Sequence, residues 1–164
     1  MQPQIDLVDV HALLDSLART PSEVSRLVNA VSREHLRARP TPEEFSAVES
    51  VCHLRDLEVE GYAPRIARIL KETNPTLADV DGARLAIERD YNSQELGPAL
   101  ETFRQTRERN VELLRELTAR DFERKASLEG VGEIDLRRLV RMMNEHDEGH
   151  LEELRRISGL RLQI

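Results

Sequence analysis

The stretch from residue 136 to residue 158, LRRLVRMMNEHDEGHLEELRRIS, indicates most clearly how this chain folds. Its apolar residues recur every three or four positions, which is the period of an amphipathic α-helix. Two histidines, His146 and His150, occupy positions on the apolar face that would otherwise carry leucine. The stretch therefore predicts a long helix that turns two polar rings toward the protein core. The apolar positions that define the face are Leu136, Leu139, Met143, Leu154 and Ile157.

His146 and His150 lie four residues apart, so their side chains stack on one face of the helix roughly 6 Å from each other. Polar groups in an apolar core need a partner, because burying them without one costs free energy. A single histidine at such a position is more often a satisfied core residue than a metal ligand. Two at this spacing favour a shared divalent metal ion, with hydrogen bonds to carboxylates as the alternative.

The remaining sequence also predicts helices, because Leu, Arg, Glu and Ala dominate and runs of β-branched residues are scarce. We therefore expect an all-α fold, a four-helix bundle that forms a single domain over residues 1–164. In such bundles, metal sites are built from side chains on facing helices. The predicted helices are a broken first helix over 9–18 and 21–33, a second over 46–73, a third over 94–119 and a fourth over 136–158, with one or two helical turns in a connecting segment over 74–93.

Capping signals indicate where these helices begin. Thr20 is followed by a proline and, three residues later, by a glutamate, which predicts that the second part of the first helix starts there. The second helix has two possible starts of the same kind, at Thr41 and at Ser46. Asp135 can cap the last helix. Pro64 lies inside the second helix and should kink it.

The composition limits the kinds of partner that the protein can have. With 24 basic and 31 acidic residues, the net charge of −7 repels phosphate backbones and anionic lipid. The chain has no tryptophan and few other aromatic residues on which bases could stack. We therefore expect no nucleic-acid partner and no membrane association. The single cysteine, Cys52, cannot form an intramolecular disulfide, and no signal-peptide pattern is present, so we expect a cytoplasmic protein.

A third histidine, His53, lies in the predicted second helix between the carboxylates Glu49 and Asp56. Such carboxylates suit a metal ligand, whose second ring nitrogen usually needs an acceptor. The alternative is a helix edge at the solvent boundary, with Glu49 acting only as a capping residue. Three imidazoles, from His53, His146 and His150, would leave coordination positions open, as in catalytic sites. This ligand set does not choose among Zn, Ni, Fe, Mn and Co. The apolar stripe beside His53 is Val48, Cys52, Val59, Ile66 and Leu70.

Two polar residues, Arg107 and Asn110, interrupt the apolar face of the predicted third helix. A guanidinium on a core face needs an anion, which could be a carboxylate of the second helix or the carboxylate of a substrate. We favour the structural pair. Asp147 could orient His53 or act as a base, although a solvated helix residue is the default interpretation. The candidate carboxylates of the second helix are Glu49, Asp56 and Glu60.

Two stretches carry a resemblance to a known family. PTPEEFSAVESVCHLRDLE, residues 40–58, resembles the DinB-like (DinB/YfiT) superfamily pattern Trp-Ser-x-x-Glu-x-x-x-His-Leu followed by an acidic pair. HDEGHLEELRRI, residues 146–157, is similar to the closing His-x-x-x-His-Leu of that family. Phe45 stands where members commonly carry Trp, which keeps an apolar residue in front of Ser46. The resemblance implies a four-helix bundle, often dimeric, with a divalent metal on His53, His146 and His150.

The resemblance also implies a range of functions, because characterised relatives include thiol-dependent S-transferases and isomerases and most members have no known reaction. We expect a divalent-metal-binding protein, with a metal-dependent enzyme as the leading interpretation. Such an enzyme would activate a low-molecular-weight thiol, as an S-transferase does, or a water molecule against a small electrophile. The alternative is a non-catalytic metal-binding bundle that acts in dimerisation or stress response. We also expect a homodimer.

Overall fold

Four long helical elements pack side by side as a four-helix bundle in the computed structural model, which describes residues 7–159. Residues 1–6 and 160–164 of the predicted domain over 1–164 lie outside the described residues. The prediction that the N-terminus carries no signal peptide falls on this undescribed part. Among these residues, no helix is long and apolar enough to cross a membrane. The long elements are α1 (Leu7–Asn29), α2 (Ala47–Asp56) continued by a π-helical segment (Leu57–Tyr62) and α3 (Ala63–Lys71), α5 (Leu96–Arg115) and α6 (Leu136–Ser158).

The first helix, α1, runs without interruption through Pro21, so the predicted break between residues 18 and 21 was wrong. Proline has no backbone N–H, which leaves the carbonyl of the residue four positions earlier without its helical partner. That residue is Leu17, and its carbonyl oxygen accepts a hydrogen bond of 3.1 Å from Nη1 of Arg107 on α5. A side chain from another helix therefore replaces the missing backbone bond.

The second helix begins at Ser46, the later of the two predicted starts. The Ser46 hydroxyl accepts from the backbone N–H of Glu49, and the Glu49 carboxylate accepts from the backbone N–H of Ser46, which forms a capping box. The predicted single helix over 46–73 is interrupted by the π-helical segment, which directly precedes the first turn of α3. Pro64 lies in that first turn, just after the π-helical segment, and the kink expected there stays a prediction.

The π-helical segment changes which residues face the core. A π turn contains an extra residue and so rotates the following face relative to a continuous α-helix. Val59, predicted for the apolar stripe, is 38% exposed, whereas Glu58 and Tyr62 are buried. The α-helical period therefore gave the wrong residue at this position. It failed because a π turn does not follow that period.

The segment between α3 and α5 packs against α2. It contains the short helix α4 and a 3₁₀ turn, in agreement with the predicted one or two helical turns over 74–93. A small three-stranded sheet, which the all-α prediction missed, packs on the apolar core, with β1 parallel to β2 and β2 antiparallel to β3. The bounds are β1 Thr76–Leu77, α4 Gly82–Glu88, the turn Tyr91–Ser93, β2 Lys125–Leu128 and β3 Gly132–Asp135.

The last helix, α6, spans Leu136–Ser158, as predicted. Its N-cap is Asp135, whose carboxylate accepts from the backbone N–H of Arg138 at 2.7 Å. The third helix, α5, is shorter than the predicted range 94–119 at both ends.

A layer of buried polar side chains crosses the bundle between two apolar clusters. The cluster nearer the sheet includes Leu17 and Met143, and the other includes Val24 and Leu154. Along each long helix, the chain passes from one cluster through the polar layer into the other. The layer therefore divides the core at the level of the histidines. Its members are Thr20 on α1, Glu58 in the π-helical segment, Arg107 and Asn110 on α5, and Asp147 on α6.

Candidate metal centre

Three histidine rings from two helices converge at one end of the polar layer. Nε2 of His53 on α2 lies 3.0 Å from Nε2 of His146 on α6. The ring of His150 completes the group, with its centroid 4.7 Å from that of His53 and 4.6 Å from that of His146. One donor nitrogen from each ring lies within 4.8 Å of the others. We call these three residues the histidine trio.

The rings of His53 and His146 are held in their neutral form. Burial lowers the pKa of His53 to about 3, and the charges of His150 and His146 act in the same direction, while Asp56 opposes them. Burial also lowers the pKa of His146 to about 3, assisted by His150 and Arg107. A neutral imidazole offers the lone pair that a metal ion needs. Both rings are therefore prepared for a cation at neutral pH.

Only one member of the trio has its outer nitrogen paired within the described chain. Nδ1 of His150 lies 2.9 Å from Oε2 of Glu153, three residues further along α6. This contact fixes the tautomer of His150 and leaves its Nε2 for the cluster. The Nδ1 atoms of His53 and His146 are buried and have no hydrogen-bond partner among residues 7–159.

The trio fits a divalent metal ion. Nitrogen ligands lie about 2.0–2.1 Å from zinc, which places two such ligands about 3.4 Å apart in a tetrahedral site. The donor atoms of His53 and His146 lie 3.0 Å apart and all three donors lie within 4.8 Å of one another, which is compatible with this spacing. All three donors are imidazole nitrogens, which suit Zn, Ni, Fe and Cu rather than Mg or Ca.

Aromatic rings and the connecting segment surround the trio. Phe45 packs against His53 with a centroid separation of 5.3 Å, and Tyr62 meets His146 edge-on at 6.1 Å. The first residue of α4, Gly82, lies directly against the ring of His53. Phe45 and Glu153, which contact His53 and His150, also line a cleft of about 260 Å³ whose other lining residues are Pro40, Glu44, Arg156 and Ile157.

A buried charge cluster lies in the polar layer, centred on Arg107. Its guanidinium donates two hydrogen bonds to Glu58, at 2.9 and 2.8 Å, and two to Asp147, at 2.6 and 3.1 Å. Asn110 donates a further bond of 2.7 Å to Glu58. Each of the three charged side chains is at most 1% exposed. Burial lowers the pKa of Arg107, but the two carboxylates outweigh this effect and raise it.

The structure corrects several partners expected for this region. Arg107 and Asn110 pair with Glu58 rather than with Glu49, Asp56 or Glu60, and Arg107 has no free donor for a substrate carboxylate. Asp147 is a buried partner of Arg107, so its default interpretation as a solvated residue was wrong.

The two carboxylates expected beside His53 bind other groups. Glu49 completes the capping box and accepts a 2.9 Å bond from Nε of Arg39. Asp56 accepts from the hydroxyl of Tyr91 at 2.6 Å and from Arg89 at 2.8 Å, which anchors the connecting segment to α2. Asp56 therefore reaches His53 only through its charge.

Three residues of the site were missed from the sequence. Glu153 had a detectable signal, because a carboxylate three residues after His150 lies on the same helix face. Glu58 lies in the acidic pair that ends the quoted family pattern, but the helical period did not predict its burial or that of Tyr62, because the π turn that buries them does not follow that period. The prediction that Cys52 is a core residue is confirmed, since it is fully buried and burial raises the pKa of its thiol.

The fold and the histidine trio together define the class of this protein. It is a four-helix bundle with a candidate metal centre formed by three histidines on two facing helices. The chain belongs to one such family, the DinB superfamily, whose profile matches residues 16–154. The fold is similar to that of YfiT from Bacillus subtilis, with a TM-score of 0.83 and 20% sequence identity, covering 97% of this chain and 93% of that chain. YfiT is described as a probable metal-dependent hydrolase with an unusual four-helix bundle topology. A comparison with curated protein sequences finds no significant match.

Proposed function

We propose that this protein binds a divalent metal ion through His53, His146 and His150 and uses it to hydrolyse a small molecule. The observation that carries the proposal is the convergence of the histidine trio, whose donor nitrogens lie within 4.8 Å of one another. The description of YfiT, a protein of similar fold, as a probable metal-dependent hydrolase supports hydrolysis as the reaction. Three protein ligands would leave a position open for water or substrate, as in catalytic zinc sites.

A metal ion at such a site lowers the pKa of a bound water toward neutrality and polarises a carbonyl or phosphoryl oxygen. The residues of the chain would prepare this chemistry. Glu153 holds His150 in the tautomer that presents Nε2 to the cluster. The rings of Phe45 and Tyr62 pack against two of the histidines and reduce the access of bulk water to them.

The cleft lined by Phe45 and Glu153 is the proposed substrate site. Phe45 packs against His53 and Glu153 bonds to His150, so a molecule in the cleft would contact the residues that adjoin two of the histidines. Its volume of about 260 Å³ falls below the usual range for drug-sized ligands, which favours a small metabolite. Pro40, Phe45 and Ile157 offer apolar contacts, and Glu44, Glu153 and Arg156 offer charged ones.

Two other functions remain as alternatives. Activation of a low-molecular-weight thiol would use the same open position, and its support is the family resemblance alone. The second alternative is a non-catalytic metal-binding bundle that acts in dimerisation or stress response. Its histidine trio would bind a metal ion, but the protein would catalyse no reaction. The homodimer also stays a prediction, which light scattering after size-exclusion chromatography would test.

The proposal is tested by metal analysis and turnover of untagged protein. We expect about one equivalent of a transition metal and hydrolysis of at least one substrate in a panel of small esters, amides and phosphoesters. His150→Ala should lose both metal and turnover, whereas His35→Ala, at an exposed histidine, should keep both. Parallel assays with cytosolic thiols and electrophiles address the transferase alternative. Equal turnover in wild type and His150→Ala would refute metal-centred catalysis.

A further inference from the structure

Arg107 joins the elements that carry the histidine trio. Its five hydrogen bonds reach Leu17 on α1, Glu58 in the π-helical segment and Asp147 on α6. Each carboxylate accepts two bonds from the guanidinium, and such paired bonds fix orientation as well as distance. The side chain of Arg107, which lies on α5, therefore fixes the positions of three other helical elements relative to one another.

The residues bound by Arg107 lie close in sequence to the histidines. Glu58 follows His53 by five residues, within the same continuous helical element. Asp147 directly follows His146 and precedes His150 by three residues, so it lies within the same helical turn as both. Holding Glu58 and Asp147 on one guanidinium therefore also fixes how far His53 lies from the other two rings.

Stability alone is a weak explanation for such a cluster. Removing three charged groups from water carries a large desolvation cost, and replacing buried ion pairs with apolar residues is often neutral or stabilising. The neighbouring core consists of two apolar clusters, which specify the rotation and the axial position of a helix less strictly than directional bonds do. A buried polar layer supplies that missing specificity.

The π-helical segment points to the same role. A continuous α-helix would place Val59 on the core face, whereas the π turn buries Glu58 and Tyr62 instead. π turns are rare and are frequently found at functional sites. Here the turn brings the Glu58 carboxylate to Arg107 and Asn110, and it brings the ring of Tyr62 to the edge of His146.

We propose that Arg107, held between Glu58 and Asp147, is a positioning residue that sets the rotation of α6 relative to the second helix and thereby brings the histidine trio together. The proposal rests on the proposed function for its metal, but the distance between His53 and His146 is a separate consequence, which can be tested on protein stripped of metal with a chelator.

The test uses two isosteric variants, Glu58→Gln and Asp147→Asn, because each leaves Arg107 one charged partner and so preserves folding. The control is Leu114→Ala, which removes a fully buried apolar side chain from the same helix, two turns away from Arg107. The melting temperature is measured for all three, so that variants of similar stability are compared.

The first readout is cobalt bound at the site. We expect both cluster variants to bind Co²⁺ about tenfold more weakly, which is the lower end of the effect of altering groups that support metal ligands. We also expect their visible absorption to shift, because that spectrum reports the arrangement of the ligands. Leu114→Ala should keep the wild-type affinity and spectrum despite its lower melting temperature.

The second readout is the metal-free protein, in which ¹⁵N chemical shifts of the histidine rings report the contact between His53 and His146. We expect these shifts to change in Glu58→Gln and Asp147→Asn and to stay at wild-type values in Leu114→Ala. Wild-type spectra and ring shifts in both cluster variants would overturn the positioning role, even with weaker cobalt binding. A wild-type protein that binds no metal would instead refute the proposed function, and the ring shifts would still decide the positioning role.

Discussion

Gly82 lies against the ring of His53 so closely that no side chain fits between them. A Cβ atom at Gly82 would lie 2.4 Å from Cε1 and 2.6 Å from Nδ1 of the imidazole. Carbon atoms not bonded to each other do not approach to this distance, so either the ring or α4 would have to move. The glycine is required here for space. It places the connecting segment directly over one member of the trio.

Gly82→Ala should therefore weaken metal binding. We expect a loss of about 1–3 kcal/mol in the free energy of unfolding from overpacking, together with weaker metal affinity because His53 is displaced. Isothermal titration calorimetry with Zn²⁺ and chemical denaturation measure the two effects. Gly97→Ala is the matched control, because a Cβ there meets nothing within 4 Å. Equal affinity in the two variants would show that α4 yields rather than His53.

Metal binding should stabilise the folded protein. A ligand present at 100 times its Kd raises the free energy of unfolding by about 2.7 kcal/mol. For a domain of this size the melting temperature should rise by about 5–10 °C. Differential scanning calorimetry with and without a chelator measures the shift. His150→Ala should melt at the same temperature under both conditions, and a shift of wild-type size in that variant would place the metal elsewhere.

Glu153→Gln should reduce metal affinity while leaving the fold intact. The carboxylate of Glu153 orients His150 through Nδ1, and loss of such a partner typically costs about 10–100-fold in affinity. Competition with a coloured chelator measures the change. Glu152→Gln, at the exposed neighbouring position, should behave as wild type. Unchanged affinity in Glu153→Gln would mean that His150 is oriented by packing alone.

The contribution of Glu49 to stability should depend on pH. Burial raises the pKa of the Glu49 carboxyl, but hydrogen bonds from Arg39 and from the backbone of Ser46 outweigh this effect and hold it below its usual range. Protonation therefore favours the unfolded chain. The stabilisation is complete above the unfolded pKa of about 4.3 and is lost as the pH falls through the lower folded pKa.

Glu49→Gln should lower the free energy of unfolding at pH 7 by about 1 kcal/mol. The effect is limited because Arg39 is half exposed and solvent screens the pair. Urea unfolding from pH 7 to pH 3 should show the difference from wild type shrinking below about pH 4. Glu43→Gln, at an exposed position, should differ little from wild type at any pH. A deficit in Glu49→Gln that is constant with pH would assign the effect to packing.

The sequence alone determined the parts of the fold that depend on local chemistry. The helix over 136–158 was predicted with its bounds, because its apolar period and its cap at Asp135 are both encoded within the helix itself. The start at Ser46 was one of two predicted alternatives. Periodicity also placed His146 and His150 on one face, since a spacing of four residues leaves no other arrangement in an α-helix.

Only the tertiary structure decided which partners the other buried polar groups meet across the helices. The meeting of His53 with His146, 93 positions away, was predicted from the sequence, but the burial of Glu58 depends on a π turn that the α-helical period does not describe. Pro21 stays within α1 because a side chain from another helix, Arg107, bonds the carbonyl of Leu17 that proline leaves unpaired. The helical period of the apolar residues predicts which face of each helix is buried. The partner of each buried polar group depends on how the helices pack, and that is a property of the whole fold.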